Sequence, residues 1–180
     1  ISHSNLCSEI LQVSEHSLYN PDGSYKHVGR DISCNLLSIN VWNSILHTDF
    51  AKMVNRAVRM CTAVSDLSSI DTVPSVKHGN DLGHAIGVGA MNLHGAFAGL
   101  GLMYGYQTSI EFTDGWFMAL KYHAIMASME LARERGKKFS GFEESKYADG
   151  SAFKYYLRTD YRTFLSETTL AIFDRLGFYI

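Results

Sequence analysis

"ISHSNLCSEI" (residues 1–10) opens the chain, and within it Asn5, Cys7 and Glu9 occupy every second position. In an extended segment alternate side chains share a face, so these three would project together, about 7 Å from one to the next. Leu6, Ser8 and Ile10 would point the other way, into packing. One face would then carry an amide that can hydrogen-bond, a sulfur and a carboxylate able to take a proton. The span suits a single sugar-sized ligand. The same spacing also describes an ordinary strand with an incidental polar face, and spacing does not choose between the two.

The rest of the chain sets the class. Its 180 residues are enough for one domain, and 46% are apolar, as in globular proteins. A net charge of −2 gives no drive toward nucleic acid or an anionic membrane surface. No run approaches about 18 uninterrupted apolar residues, so no transmembrane helix is expected. The first residues lack a basic region followed by an apolar run, and no signal peptide is expected. The three cysteines, at 7, 34 and 61, are an odd number and not a secreted disulfide framework. A reducing, cytoplasmic setting follows as the expectation, with any disulfide redox-active rather than structural. A start at Ile1 and an apolar end, "GFYI" (177–180), lead us to expect a piece of something longer.

No internal repeat, low-complexity tract or linker interrupts the sequence. "YNPDGSY" (19–25) is turn chemistry, with Pro21 and Asp22 presetting the turn and Gly23 supplying positive φ. "DISCNLLSINV" (31–41) has no helical period and reads as a buried strand or extended segment. Over 48–67, Phe50, Met53, Val54, Ala57, Val58, Cys61 and Val64 repeat with helical spacing, and Thr48 is a plausible N-cap. Cys61 on that stripe reads as a buried, inert thiol. The Gly- and Ala-rich stretch 84–105 reads as tightly packed backbone. Within it Gly87-Val88-Gly89 is a weak match to a phosphate-binding loop, since no Gly-Lys-Ser/Thr follows. Residues 113–138 predict a second helix ending in basic residues and Gly136, its Met-rich face toward the core. The tail, "ESKYADGSAFKYYL" (144–157) then "TFLSETTLAIFDRLGFYI" (163–180), predicts two further helical pieces. Strand-like and helical segments alternate, which predicts an α/β fold with too few strands to close a barrel alone.

Metal chemistry is not expected. The eight histidines are scattered, without His-x-x-x-His or Cys-x-x-Cys spacing, and His84 and His94 read as structural. A cysteine with a distant histidine can make a thiol hydrolase, which would use Cys7, although no hydrolase signature surrounds it.

Six stretches, in order, carry a resemblance: "SNLCSEI" (4–10), "GRDISCNL" (29–36), "CTAVSDLSSI" (61–70), "HAIGVGAMNLHG" (84–95), "LARERGKKFSGF" (131–142) and "SKYADGSAFKYYL" (145–157). Together the chain resembles the catalytic, large (alpha) subunit of class I ribonucleotide reductases, class Ib above all, along essentially all its length. The resemblance implies part of a ten-stranded α/β barrel made of two antiparallel five-stranded halves. Residues 1–180 would form a single segment of that catalytic domain, with 1–12 as the finger loop inside the barrel and 31–180 as second-half strands and helices. The implied activity is reduction of ribonucleoside diphosphates to deoxyribonucleotides by a thiyl radical, for DNA precursor synthesis.

The family roles carry over residue by residue. Cys7 would hold the thiyl radical that abstracts the ribose 3′ hydrogen. Glu9 would accept the 3′-hydroxyl proton, and Asn5 would orient the sugar. Leu6 and Ser8 complete the substrate-contacting stretch 5–9. Cys34 would be one of two cysteines that reduce the 2′ carbon and end as a disulfide. No cofactor is expected on this segment. The full enzyme would depend on the dimetal-tyrosyl radical of a small (beta) subunit, on nucleotide effectors, on a glutaredoxin- or thioredoxin-like reductant, on the remaining alpha chain and on homodimerisation.

Leu37 stands where the subgroup has glycine, which predicts disturbed packing near Cys34. The second redox cysteine, the effector region, the diphosphate loop, the radical-relay tyrosines and the C-terminal shuttle cysteines are not in this sequence. The segment alone is therefore expected to be inactive and to expose apolar helix faces. A non-catalytic half-barrel from a split or degenerate gene is the alternative, with the hydrolase after it.

Overall fold

A computed structural model of the chain describes residues 12–46, 49–68, 70–154, 163 and 165–176. The elements are β1 (Leu18–Tyr19), β2 (Tyr25–His27), β3 (Asn35–Asn40), α1 (Val41–Leu46), α2 (Phe50–Leu67), α3 (Pro74–Gly83), β4 (Ile86–Met91), α4 (Leu93–Leu100), α5 (Gln107–Arg135), a 3₁₀ turn (Ser151–Phe153) and α6 (Glu167–Leu176). They fall into two compact units. The first takes the chain up to Leu36 and Met60–Gly87; the second takes Leu37–Arg59 and everything from Val88.

The first unit contains the expected turn. β1 and β2 pair antiparallel around it. Asp22 Oδ1 accepts from the backbone N–H and the hydroxyl of Ser24, and Gly23 takes φ +83°. These local bonds explain why the turn is legible from seven residues. α3 starts with Pro74 in its first turn, where a missing N–H costs nothing. It ends on His84 at φ +45°, whose N–H donates to the Asn80 carbonyl. A non-glycine residue in that region is strained. Its ring is held there by Ser65 Oγ at 3.1 Å and Asp66 Oδ1 at 3.5 Å, both on Nδ1.

β3 and β4 form a two-stranded sheet. The Asn35 N–H donates to the Ala85 carbonyl, a Cβ on Gly89 would face Ser38, and Asn92 Nδ2 donates to Asn40 Oδ1. Partner numbers rise together, so the strands run parallel, and three helices make the crossover that parallel pairing requires. The strand predicted over 31–41 is thus shorter, 35–40, and not buried as expected: only Ile39 is, while Leu36 and Ser38 are exposed. Asn40 ends it by capping α1 through the Asn43 N–H at 3.1 Å.

α2 keeps most of its predicted stripe: Phe50, Val54, Ala57, Val58 and Cys61 are buried. Val64 is a correction. It is 53% exposed and lies in a separate outer row with Met60 and Leu67, while Ser65 turns inward instead. The predicted cap, Thr48, lies outside the described residues; Asp49 Oδ1 accepts from the Lys52 N–H at 2.9 Å and caps the helix.

In the second unit, α5 begins six residues before the predicted 113. Thr113 resembles a cap in sequence, but its hydroxyl donates to the Ser109 carbonyl within the helix. Gly136 ends α5 at φ +60°, as expected. The buried face of α5 is Phe112, Trp116, Ala119, Leu120 and Ala127; of its methionines Met118 is half-buried, whereas Met126 and Met129 are exposed. Trp116 is fully buried, its Nε1 donates to Ser44 Oγ at 2.8 Å, and Phe50 meets its ring edge-on. Phe112 stacks on Phe173 of α6 at 5.6 Å between centroids. The second predicted tail helix forms as α6; the first is described only up to Lys154, which is helical, and its remaining residues lie outside the described ones. Residues 145–153 make turns, because Asp149 Oδ1 accepts from the Ser151 N–H and Gly150 takes φ +72°.

One buried carboxylate joins α5 to α6. Glu111 Oε2 accepts from the Ser166 N–H, the Ser166 hydroxyl at 2.5 Å and the Thr169 hydroxyl at 2.7 Å, and Oε1 accepts from Gln107. Burial pushes this carboxyl upward, but the hydrogen bonds outweigh it and hold the group at about 2. Among the described residues no helix is long and apolar enough to cross a membrane.

Two stability outcomes follow in the protein that carries this segment. Trp116→Ala should cost about 3–5 kcal/mol, read from urea unfolding. The Glu111 carboxylate contributes stability above its unfolded value of 4.5 that is lost as pH falls toward about 2. Glu111→Gln should therefore cost about 3 kcal/mol at neutral pH. The gap between wild type and variant should close as pH drops from 4.5 to 2, and a gap constant across that range would refute the clamp.

Candidate functional site

Cys34 is the one predicted site residue within the described structure; Asn5, Leu6, Cys7, Ser8 and Glu9 lie outside it. Cys34 is half-buried at the last position before β3, its Sγ 4.0 Å from the Asn35 carbonyl oxygen. Arg30, four positions earlier, bridges Glu15, so residues 31–34 are a short span between two paired points. Among the described residues, α3 and Gln12 meet the polar groups of that span.

The contacts run along α3 in sequence. His78 Nδ1 bonds the Gly29 carbonyl at 3.0 Å. The Asp31 N–H donates to the Ser75 carbonyl at 3.0 Å, and the Ser75 hydroxyl donates to Asp31 Oδ2 at 2.5 Å. A Cβ at Gly79 would stand 1.8 Å from the Asp31 carbonyl oxygen, so only glycine permits this approach. The Ser33 hydroxyl reaches Asn80 Oδ1 at 3.5 Å, and Gln12 Nε2 donates to the Ser33 carbonyl. Asn80, 4% exposed, is fixed in turn: Ser65 Oγ donates to its Oδ1 at 2.8 Å, and its Nδ2 donates to the Ser65 carbonyl at 2.9 Å.

β4 closes on the thiol from the sheet side. A Cβ on Gly87 would be 2.5 Å from Leu36 Cδ2 and 3.5 Å from Cys34 Sγ. At Gly89 the same atom would meet only ordinary contacts, at 3.6 Å and beyond. At Gly87 the near atom is the tip of the exposed Leu36 side chain, which can turn away, so neither glycine is demanded by packing against backbone, and both lie within a strand rather than in a phosphate loop. Leu37 projects with Asn35 and Ile39, opposite the Leu36 face that adjoins Cys34, so the leucine in place of glycine is not pressed against the thiol. Asn35 Nδ2 is buried without a hydrogen-bond partner.

Cys61 behaves as its stripe predicts. It is buried, and burial pushes its thiol up, away from the reactive thiolate. His84 is held by Ser65 and Asp66 through Nδ1, an arrangement that orients the ring. Among the described residues no three His, Cys, Asp or Glu side chains gather where they could hold a metal. A cavity of about 430 Å³ in the second unit is lined mainly by Leu93, Phe97, Tyr104, Ile110 and Phe117; it is apolar and does not include Cys34. Asp31, Ser75, Gly79 and Asn80 escaped sequence reading because no motif joins residues more than 40 positions apart.

The polar contacts of this region hold the backbone on either side of Asp31 and Ser33, and the half-buried Cys34 thiol follows directly after them. Comparison with known proteins agrees in family. The model of the ribonucleotide reductase barrel domain matches residues 1–172. A ribonucleoside-diphosphate reductase subunit alpha of Mycoplasma pneumoniae is 43% identical over 175 residues, 96% of this chain and 24% of its own length. That of Bacillus subtilis is 39% identical over 161 residues, 89% of this chain and 23% of the relative. That of Chlamydia pneumoniae is 32% identical over 170 residues, 92% and 14%. The chain thus spans about a quarter or less of the length of these relatives. With a barrel-domain match across nearly its whole length, the chain belongs to the ribonucleotide reductase family.

Proposed function

We propose that this chain is the segment of a class Ib ribonucleoside-diphosphate reductase alpha subunit that carries the radical cysteine. The carrying observation is the order and spacing of Asn5, Cys7, Glu9 and Cys34 inside a barrel-domain match over residues 1–172. Residues 1–12 serve as the finger loop, and 31–180 as strands and helices of the second half of the barrel. The outward row Met60, Val64 and Leu67 and the exposed Leu36 provide apolar faces for the remaining alpha chain.

In this reading Cys7 loses its hydrogen atom to a radical relay that begins in the small subunit's dimetal-tyrosyl centre. The Cys7 sulfur then takes the ribose 3′ hydrogen and returns it at the end of the turnover. S–H and sugar C–H bonds are similar in strength, so this exchange is reversible. Glu9 takes the 3′-hydroxyl proton as the radical develops, and Asn5 holds the sugar. Cys34 and a second cysteine supply two electrons and two protons. The C2′–OH bond breaks, C2′–H forms, the hydroxyl leaves as water, and the two sulfurs join as a disulfide. The balance is nucleoside diphosphate plus dithiol to 2′-deoxynucleoside diphosphate, disulfide and water. A glutaredoxin- or thioredoxin-like protein restores the dithiol. Nucleotide effectors, a homodimer of the whole subunit and a cytoplasmic setting complete the proposal.

The test is reconstitution of the full-length subunit with its small subunit, reductant and a ribonucleoside diphosphate. Cys7→Ser should lower turnover roughly a thousandfold or more. Glu9→Gln should lower it roughly 10²–10⁴-fold. Cys34→Ser should stop reductant-dependent turnover. Normal turnover in any of the three would remove that residue from its role.

A further inference from the structure

Residues 31–34 lead into Cys34, and four contacts from one edge of α3, with the Gln12 bond to the Ser33 carbonyl, hold their path. Ser75 holds Asp31 twice, by its carbonyl and by its hydroxyl. Gly79 lets the Asp31 carbonyl lie against the helix backbone. Asn80 meets the Ser33 hydroxyl, one residue from the thiol, and is itself locked to Ser65 by a reciprocal pair of bonds. Ser75, Asn80 and Ser65 are all at most 4% exposed. Buried polar groups of this kind have one satisfied arrangement, and a shift in either partner leaves a donor or acceptor unmet.

We propose that Ser75, Gly79 and Asn80 are positioning residues that set where the Cys34 thiol stands and thereby its exchange with a second sulfur. The inference rests on the reading of Cys34 as a redox thiol. Disulfide formation needs the two Cα atoms about 4.4–6.8 Å apart and a defined torsion. A displacement of the 31–34 backbone by a fraction of that range changes how readily the pair oxidises. α3 reaches Asp31 and Ser33, so its effect on the thiol passes through the path of this span. Gly79 is the steric part of the device, because any side chain there must push Asp31 outward. Ser75 and Asn80 are the directional part, because they fix which way the span lies once it is close.

The experiment uses the full-length subunit with its small subunit and compares Ser75→Ala, Gly79→Ala and Asn80→Ala. Three readouts are taken: the equilibrium constant of the Cys34 disulfide against glutathione, kcat and the KM for a ribonucleoside diphosphate. Each variant should move the disulfide constant roughly threefold or more. Each should lower kcat roughly fivefold or more while KM stays within about twofold. Trp116→Phe, in the other unit, is the control for general destabilisation and should leave the disulfide constant unchanged. If Gly79→Ala does not fold, Ser75→Ala carries the test, since it removes one hydroxyl and keeps the backbone bond to Asp31. Wild-type disulfide constants in the folded α3 variants, with Cys34→Ser inactive, would overturn the inference and leave the reading of Cys34 standing. Equal shifts in Trp116→Phe would also overturn it. Reductant-dependent turnover in Cys34→Ser would overturn the underlying reading instead, and the inference with it.

Discussion

The carbonyl of Asp31 rests against the backbone of α3 at Gly79, where a Cβ would intrude to 1.8 Å. The path of the chain into β3 depends on that contact. With no side chain between helix and span, Ser75 can reach Asp31, and Asn80 can reach Ser33. Ser65 then joins Asn80, which ties the end of α2 to the same helix. The first unit is therefore organised less by an apolar core than by buried polar groups that satisfy one another. Such a network specifies one arrangement because every alternative leaves a polar atom without a partner.

The second unit is built on the opposite balance. Val41, Val54, Phe97, Phe112, Trp116 and Phe173 are buried side chains that pack helix on helix. Close approach again needs a small residue at one place: a Cβ at Gly99 would meet the Trp42 ring at 2.4 Å. The polar exceptions are few and well bonded. Ser44 accepts from the Trp116 indole, and Glu111 is ringed by Ser166, Thr169 and Gln107. On the surface, Arg59 grips Glu134 with two nitrogens, yet all three side chains of the Arg59, Glu130 and Glu134 group are a third or more exposed, so this grip adds little stability.

The chain belongs to a family whose relatives are named ribonucleoside-diphosphate reductase subunit alpha. Its Cys34 is half-buried just before β3, with Gly87 of β4 beside the sulfur. Cys61 is a useful contrast within the same chain. It has the same side chain, but it is buried on an apolar stripe that pushes its thiol up. Environment, and not residue type, separates the two sulfurs.

Features set by neighbours along the chain were legible without coordinates. The turn at 19–25, the buried stripe of α2 from Phe50 to Cys61 and the end of α5 at Gly136 each depend on contacts within a few residues. The spacing of Asn5, Cys7 and Glu9 made a shared reactive face thinkable, and the six ordered stretches identified the family. What required the tertiary structure depends on partners far away in sequence. Val64 faces outward because Ser65 finds Asn80 and His84. Residues 107–112 are helical because α5 packs from its first turns, with Thr113 bonded inside it rather than capping it. Met126 and Met129 of α5 lie outside, and Met118 is only half-buried, because Trp116 and Phe112 fill the interior. Above all, nothing local marks Ser75, Gly79 or Asn80 as neighbours of the chain leading to Cys34. A short-range pattern records which conformation a segment prefers, whereas the fit of one backbone against another more than 40 residues away exists only once both are folded.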